Sequence, residues 1–121
     1  MSNYKFPIGA TSKNLAFRIL DETTNRKHFP VKYRRLADQL QEISFRIFCS
    51  AIDANTEDAN TQKGREKRYQ HKTNIIADCI KIDGLIEYCL RAKMISSATA
   101  AELIEMESSI KAMTTAWRKT A

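Results

Sequence analysis

Apolar residues recur with the period of an α-helix between Val31 and Asn55, and this pattern restricts the fold more than any other feature of the chain. Their spacing is three or four residues throughout, so that one side of the helix is continuously apolar. A helix of this length is typical of a bundle, in which neighbouring helices cover the apolar side. The stripe consists of Leu36, Leu40, Ile43, Ile47 and Ala51.

Three other stretches show the same period, and the four together predict an all-α fold, an antiparallel up-and-down four-helix bundle. The predicted helices are 12–24, 31–55, 65–91 and 97–118, after an irregular lead over residues 1–10. Gly84 lies inside the third helix, where glycine costs about 1 kcal/mol relative to alanine, and we expect a close helix crossing there. An elongated three-helix array with a loosely docked first helix is the structural alternative.

Composition favours one helical domain over residues 1–121. The 121 residues include three glycines and two prolines, fewer than the turns of a sheet protein need, and 43% of them are apolar. The longest uncharged stretch, 94–101, is far shorter than a membrane span, and the N-terminus carries no secretory pattern. Cys49, Cys79 and Cys89 lie in helical apolar patterns and form no CxxC pair. We therefore expect a cytoplasmic protein with reduced core thiols.

No catalytic or metal-binding motif stands out in the sequence. His28 and His71 are the two histidines, and neither has a carboxylate or cysteine at metal-ligand spacing. The acidic pairs 38/42 and 83/87 lie one helical turn apart, a spacing most often found on a solvated face. The chain contains no phosphate-binding loop and no zinc or serine-nucleophile signature. We therefore predict a protein that is not an enzyme and uses neither a cofactor nor a metal.

Basic residues are clustered, and this is the chemical signal of the chain. The net charge is +6, and half of the twenty Lys and Arg residues fall within 26–35 and 63–72. Each cluster lies at the start of a long helix, where positive charge is unfavourable because it opposes the helix dipole. An external phosphate, bound by these cations and by the free helix amides, would explain why the cations are there. Antiparallel packing places the clusters at opposite ends. The candidate nucleic-acid-binding residues are Arg26, Lys27, Arg34, Arg35, Lys63, Arg65, Lys67, Arg68 and Lys72.

The two clusters leave alternatives open. A solvated basic surface without a polyanionic partner is one, and a protein-interaction scaffold whose charge serves solubility is another. No helix-turn-helix, ribonucleoprotein or zinc motif is present, so we expect contacts to backbone phosphates and little base-specific reading. Tyr33 and Tyr69 lie within the clusters, where a tyrosine either stacks on an unpaired base or is buried.

The order of these features resembles a known family. The segments are "FPVKYRRLADQLQEISFRIFCSAIDANT", "NIIADCIKIDGLIEYCLRAKMIS" and the terminal "IKAMTTAW". Over residues 12–118 they are similar to the accessory variability determinant proteins of diversity-generating retroelements, and to related four-helix proteins encoded in ribosomal RNA intervening sequences. The polar loop before Gly64 is longer than in compact members of the family.

The resemblance implies a function as well as a fold. Members of this family are not enzymes; five four-helix protomers assemble into a basic barrel, a homopentamer. They associate with the retroelement reverse transcriptase and with RNA or DNA, and they support mutagenic synthesis of complementary DNA from a template RNA. Basic residues are the family's means of binding, so the nine candidates above are the positions on which this function would depend.

Overall fold

The computed structural model describes residues 6–120. Its helices are α1 (Pro7–Thr23), α2 (Arg34–Thr56), α3 (Gln62–Arg91) and α4 (Ser97–Arg118), and a short 3-10 turn (Val31–Tyr33) leads into α2. Every regular element within the described residues is helical, which confirms the predicted all-α class. Residues 1–5, half of the predicted irregular lead, and residue 121 lie outside the described residues.

The helices form an antiparallel bundle in which each packs against two neighbours. Contacts join α1 to α2, α2 to α3, α3 to α4 and α4 back to α1. Arg18, late in α1, donates to Glu102, early in α4, while the Phe6 ring before α1 packs edge-on against Trp117 near the end of α4. The bundle therefore has two distinct ends. End A comprises residues 24–35 and 91–96, and end B comprises residues 54–72, the start of α1 and residues 117–120.

One hydrophobic cluster is shared by the four helices and holds them together. Leu15, Ile47, Ile82 and Ile110, one from each helix, are completely or almost completely shielded from solvent at its centre. Burying an aliphatic side chain of this size stabilises the fold by about 1.5–3 kcal/mol relative to leaving it exposed. Inward placement of the predicted stripe is confirmed for Leu40 through Ala51, whereas Leu36 is half-buried.

The prediction for the start of α1 was wrong. The helix begins at Pro7 and not near Thr11 or Ser12, because proline has no amide to leave unpaired and is well suited to the first helical position. Ser12 faces the core and is completely buried. Gly9 is also helical, and a Cβ atom there would lie 2.5 Å from the Phe6 ring. Glycine at this position lets that ring lie against the first turn.

The glycines of α3 have different roles from those the sequence predicts. A Cβ atom on Gly84 would have no neighbour within 4 Å, so the expected close helix crossing was wrong. The close approach occurs at Gly64, where a Cβ atom would lie 1.8 Å from the carbonyl oxygen of Asp58. Thr61 caps this helix by accepting from the Gly64 amide. Gly64 thus allows the 57–61 connection to pack onto the first turn of α3.

Two buried acids lie where α3 meets its neighbours. Asp78 is paired with Arg46 of α2 through two hydrogen bonds of 2.8 Å each, a bidentate contact that fixes the register of the two helices. Glu107 of α4 is completely buried, and the Lys111 ammonium lies 3.6 Å from one of its oxygens. Within residues 6–120, none of the helices combines the length and the apolar character that crossing a bilayer requires.

Candidate nucleic-acid interface

The connection between α1 and α2 presents the first basic cluster at end A. Phe29 is buried and anchors this connection to the core, and the amides of His28 and Phe29 donate to the carbonyl of Asn25. The His28 ring also contacts the carboxylate of Glu22 at the end of α1. With its turn fixed in this way, the connection holds Arg26 and Lys27 outward, and both are exposed.

The start of α2 divides the remaining cations of this cluster between two sides of the helix. Arg34 shares a polar pocket of about 310 Å³ with Arg26, lined also by the hydroxyls of Thr23 and Thr24. Arg35 points to the other side, where Lys32 is its basic neighbour in a groove between α2 and α3. Asp38 is the one acid lining either space. End A therefore offers cations on both sides of α2.

The turn between α3 and α4 adds two cations that the sequence analysis did not select. Arg91 ends α3 and Lys93 follows it in the turn, and both are exposed. Lys93 has a φ of 60°, the left-handed conformation that lets the chain reverse direction between the helices. Antiparallel topology brings this turn to the same end as the 24–33 connection. That topology, combined with the "RAK" segment, was the signal that could have identified them.

The second cluster lies at end B and is divided between exposed and structural residues. Lys63, Arg65 and Lys67 are exposed, although the Arg65 guanidinium also donates to the carbonyl of Ala59 at 3.2 Å. Arg68 is half-buried and donates to the carbonyls of Ala54 and Glu57 at the end of α2. Arg68 therefore holds the end of one helix against the start of another.

Assigning Lys72 to an exposed binding surface was wrong. Its side chain is 1% exposed, and its ammonium donates to the carbonyls of Trp117 and Thr120 at 3.1 and 3.4 Å. The ammonium also lies 4.5 Å from the centre of the Trp117 ring. Burial lowers the pKa of Lys72, and the nearby Arg68 charge lowers it further. Lys72 therefore satisfies carbonyl groups at the C-terminal end of α4.

Backbone amides at the helix starts are not open to a phosphate at several of the positions where we expected them. The amides of Tyr33 and Arg34 donate to the carbonyls of Pro30 and Val31. At the start of α3, the amides of Gly64 and Arg65 donate to Thr61. Phosphate contacts at either end would therefore depend mainly on Lys and Arg side chains.

The two histidines have acidic neighbours that the linear spacing did not reveal. Glu22 contacts His28, and Glu57 lies 3.4 Å from the ring of His71. Each is a pair, and in the part of the chain that the structure describes no three His, Cys, Asp or Glu side chains are grouped as metal ligands. Carboxylates six and fourteen residues away in sequence became neighbours through the turns at the helix ends.

Cys79 and Cys89 are unsuited to act as nucleophiles at neutral pH. Burial raises the pKa of Cys79 to about 12 and that of Cys89 to about 11. Both therefore remain protonated, and the thiolate is the reactive form of cysteine. Cys49 is half-buried, and all three cysteines are unpaired with one another.

Comparison with protein-family models, with curated proteins and with solved structures found no match for this chain. The charges and grooves at the two ends of the bundle are therefore the features of the described residues that bear on function.

Proposed function

We propose that the protein is a non-enzymatic nucleic-acid-binding accessory protein that holds backbone phosphates at end A. The observation that carries this proposal is the convergence of two connections on one end of the bundle. One of them brings Arg26, Lys27, Arg34 and Arg35, and the other brings Arg91. Cations gathered in this way raise the local concentration of a polyanion and neutralise several phosphates together.

End A is the better candidate of the two ends because the cations between α1 and α2 are less compensated, although Arg91 in the other connection lies 3.8 Å from the Glu87 carboxylate. No acid occurs between residues 24 and 37. At end B, by contrast, Glu57, Asp58 and Glu66 accompany the exposed cations, and Arg68 and Lys72 make contacts within the bundle. Lys63, Arg65 and Lys67 then provide a secondary basic surface.

The partner and the biological process come from the family resemblance of residues 12–118. On that basis the protein associates with the reverse transcriptase of a diversity-generating retroelement and supports mutagenic synthesis of complementary DNA. It would assemble as a homopentameric barrel. In a closed cyclic assembly whose axis follows the helices, the same end of each protomer faces the same side. Five copies of end A would then form one continuous basic ring.

A protein-interaction scaffold is the second candidate, and an apolar groove between α1 and α2 favours it. Phe17, Leu20 and Phe45 line this groove and are 58%, 45% and 60% exposed, while Asp38 and Glu42 also border it. The groove measures about 500 Å³. Exposed apolar surface with a polar border is typical of a protein-binding site. The border of this groove is negatively charged, whereas end A is positively charged.

Salt dependence of nucleic-acid binding tests the first candidate against the second. Fluorescence anisotropy would follow labelled single-stranded RNA, duplex DNA and an RNA–DNA hybrid, each titrated with the protein at several salt concentrations. We expect binding that weakens steeply with salt, because released counterions supply most of its free energy. Absence of binding to all three at low salt would overturn the proposal and favour the scaffold. Co-purification with the reverse transcriptase would test the partner.

A further inference from the structure

The groove between α2 and α3 at end A combines positive charge with aromatic surface. Its volume is about 450 Å³. No acid is among the residues that line it, in contrast to the apolar groove on the other side of α2. Its lining consists of Lys32, Tyr33, Arg35, Leu36, Gln39, Gly84, Leu85 and Tyr88.

Tyr88 is the aromatic ring of this groove that is available to a ligand. It is 59% exposed, so that its ring is accessible from solvent. Tyr33 is half-buried, and the Lys32 ammonium already lies 5.2 Å from the centre of its ring. A base stacked on Tyr88 would have the cations of Lys32 and Arg35 in the same groove for its phosphates.

Gly84 lies in the wall of this groove. It lies inside α3, where glycine is destabilising by about 1 kcal/mol relative to alanine. Packing does not explain the glycine, because a Cβ atom there would meet nothing within 4 Å. A larger side chain at this position would instead project into the groove beside Leu85 and Tyr88.

We propose that this α2–α3 groove binds a single-stranded segment of nucleic acid, with an unpaired base on Tyr88 and backbone phosphates beside Lys32 and Arg35. The inference rests on the proposed function and specifies which form of nucleic acid it binds. Bases of a duplex are stacked on each other and do not present their faces to a protein, whereas single-stranded bases stack readily on aromatic side chains.

Tyrosine substitutions test the groove. The probes are a labelled single-stranded RNA, the single-stranded DNA of the same sequence and the corresponding duplex. Since base stacking on an aromatic side chain is worth about 1–3 kcal/mol, Tyr88→Ala should weaken single-strand binding about 5- to 150-fold. Duplex binding should change less than about twofold. Tyr88→Phe keeps the ring and should keep the affinity.

Ile80→Ala is the matched control, because Ile80 is 58% exposed on the same helix and is not among the residues that line the groove. It should leave single-strand affinity unchanged. Gly84→Leu fills the groove without removing a ring or a charge, and it should also weaken single-strand binding selectively. The inference is overturned if Tyr88→Ala and Gly84→Leu both leave single-strand affinity intact, or if they weaken duplex binding equally. A different result would refute the proposed function itself: the unmodified protein would bind none of the probes.

Discussion

Lys67 and Lys72 show how two lysines of one cluster come to have different roles. Lys67 is exposed to solvent, whereas Lys72 lies between α3 and α4 with its ammonium on the last carbonyls of α4. A cation at a helix C-terminus is favoured by the helix dipole, and the carbonyls there lack intrahelical partners. Lys72 is therefore part of the fold, although the sequence places it in a basic segment.

Replacing Lys72 should destabilise the protein, and replacing Lys67 should not. Lys72→Met keeps an apolar side chain against Trp117 but removes the hydrogen bonds to the α4 carbonyls. Hydrogen bonds from a charged donor are worth about 1.5–3 kcal/mol, and we expect a loss of that order in the free energy of unfolding. Urea denaturation would measure it, with Lys67→Met as the matched control. Equal stability of the two variants would contradict the structural role of Lys72.

The two glycines of α3 should respond oppositely to alanine. Gly64→Ala places a methyl group against the Asp58 carbonyl and should destabilise the protein by about 1–3 kcal/mol, the usual cost of overpacking. Gly84→Ala meets no neighbour and should stabilise it by up to about 1 kcal/mol through helix propensity. Thermal unfolding followed by circular dichroism compares them. A destabilising Gly84→Ala would indicate a packing contact at that glycine.

At the scale of elements, the contact between α3 and α4 contains a buried acidic group. Burial raises the pKa of Glu107, and Asp83 raises it further, while the Lys111 ammonium opposes the shift. Cys79 of α3 faces the same group. An acid whose pKa is raised on folding lowers the free energy of unfolding once it ionises. For Glu107 this loss of stability is smallest below the ordinary pKa of 4.5 and grows as the pH rises above it.

Glu107→Gln should therefore gain stability relative to the unmodified protein as the pH rises. The two should be similar near pH 4, where Glu107 is protonated in both the folded and the unfolded state, and should diverge above it. Urea denaturation across this range measures the difference. Glu105→Gln is the control, because it removes the same charge from an exposed position of α4. A constant difference at all pH values would show that Glu107 is not penalised by burial.

The start of α4 was predicted correctly, whereas the predicted starts of α1 and α3 were wrong. The bounds of α4 agree with the prediction, because Ser96 accepts from the Thr99 amide as a capping serine does. The predicted start of α1 was wrong because residue 12, where the prediction began the helix, lies several positions inside a helix that begins at Pro7. The start of α3 differed by three residues, since Thr61 supplies its cap.

For the molecule as a whole, the sequence predicted the helical bundle better than it predicted which basic side chains are exposed. Period and connection length determine four antiparallel helices, and antiparallel order places the two basic clusters at opposite ends. Which cations are exposed depends on contacts between residues distant in sequence, such as Lys72 with Trp117. The same topology brings Arg91 and Lys93 to end A, although they lie outside the two basic clusters of the sequence.

The proposed assembly gives a prediction of mass. Light scattering on a sizing column should give five times the mass of one chain, at both low and high salt, if apolar surfaces such as Phe17 and Phe45 are covered between protomers. Apolar contacts are weakened little by salt, whereas contacts between exposed charges are screened. A monomer at all concentrations would contradict the pentamer and weaken the resemblance on which it depends.

The central claim is that end A is the nucleic-acid-binding end, and paired charge removal tests it most directly. One variant combines Arg26→Gln, Arg34→Gln and Arg35→Gln, and the other combines Lys63→Gln, Arg65→Gln and Lys67→Gln. Both lose three positive charges, so a difference between them reports position and not net charge.

The measurement is the affinity for single-stranded RNA as a function of salt, with unfolding curves showing that both variants remain folded. We predict that the end A variant binds more weakly and that the slope of log affinity against log salt falls by about 2, as expected for three lost contacts to a single strand. The end B variant should change less. Equal weakening by both variants, or a larger effect at end B, would contradict the account.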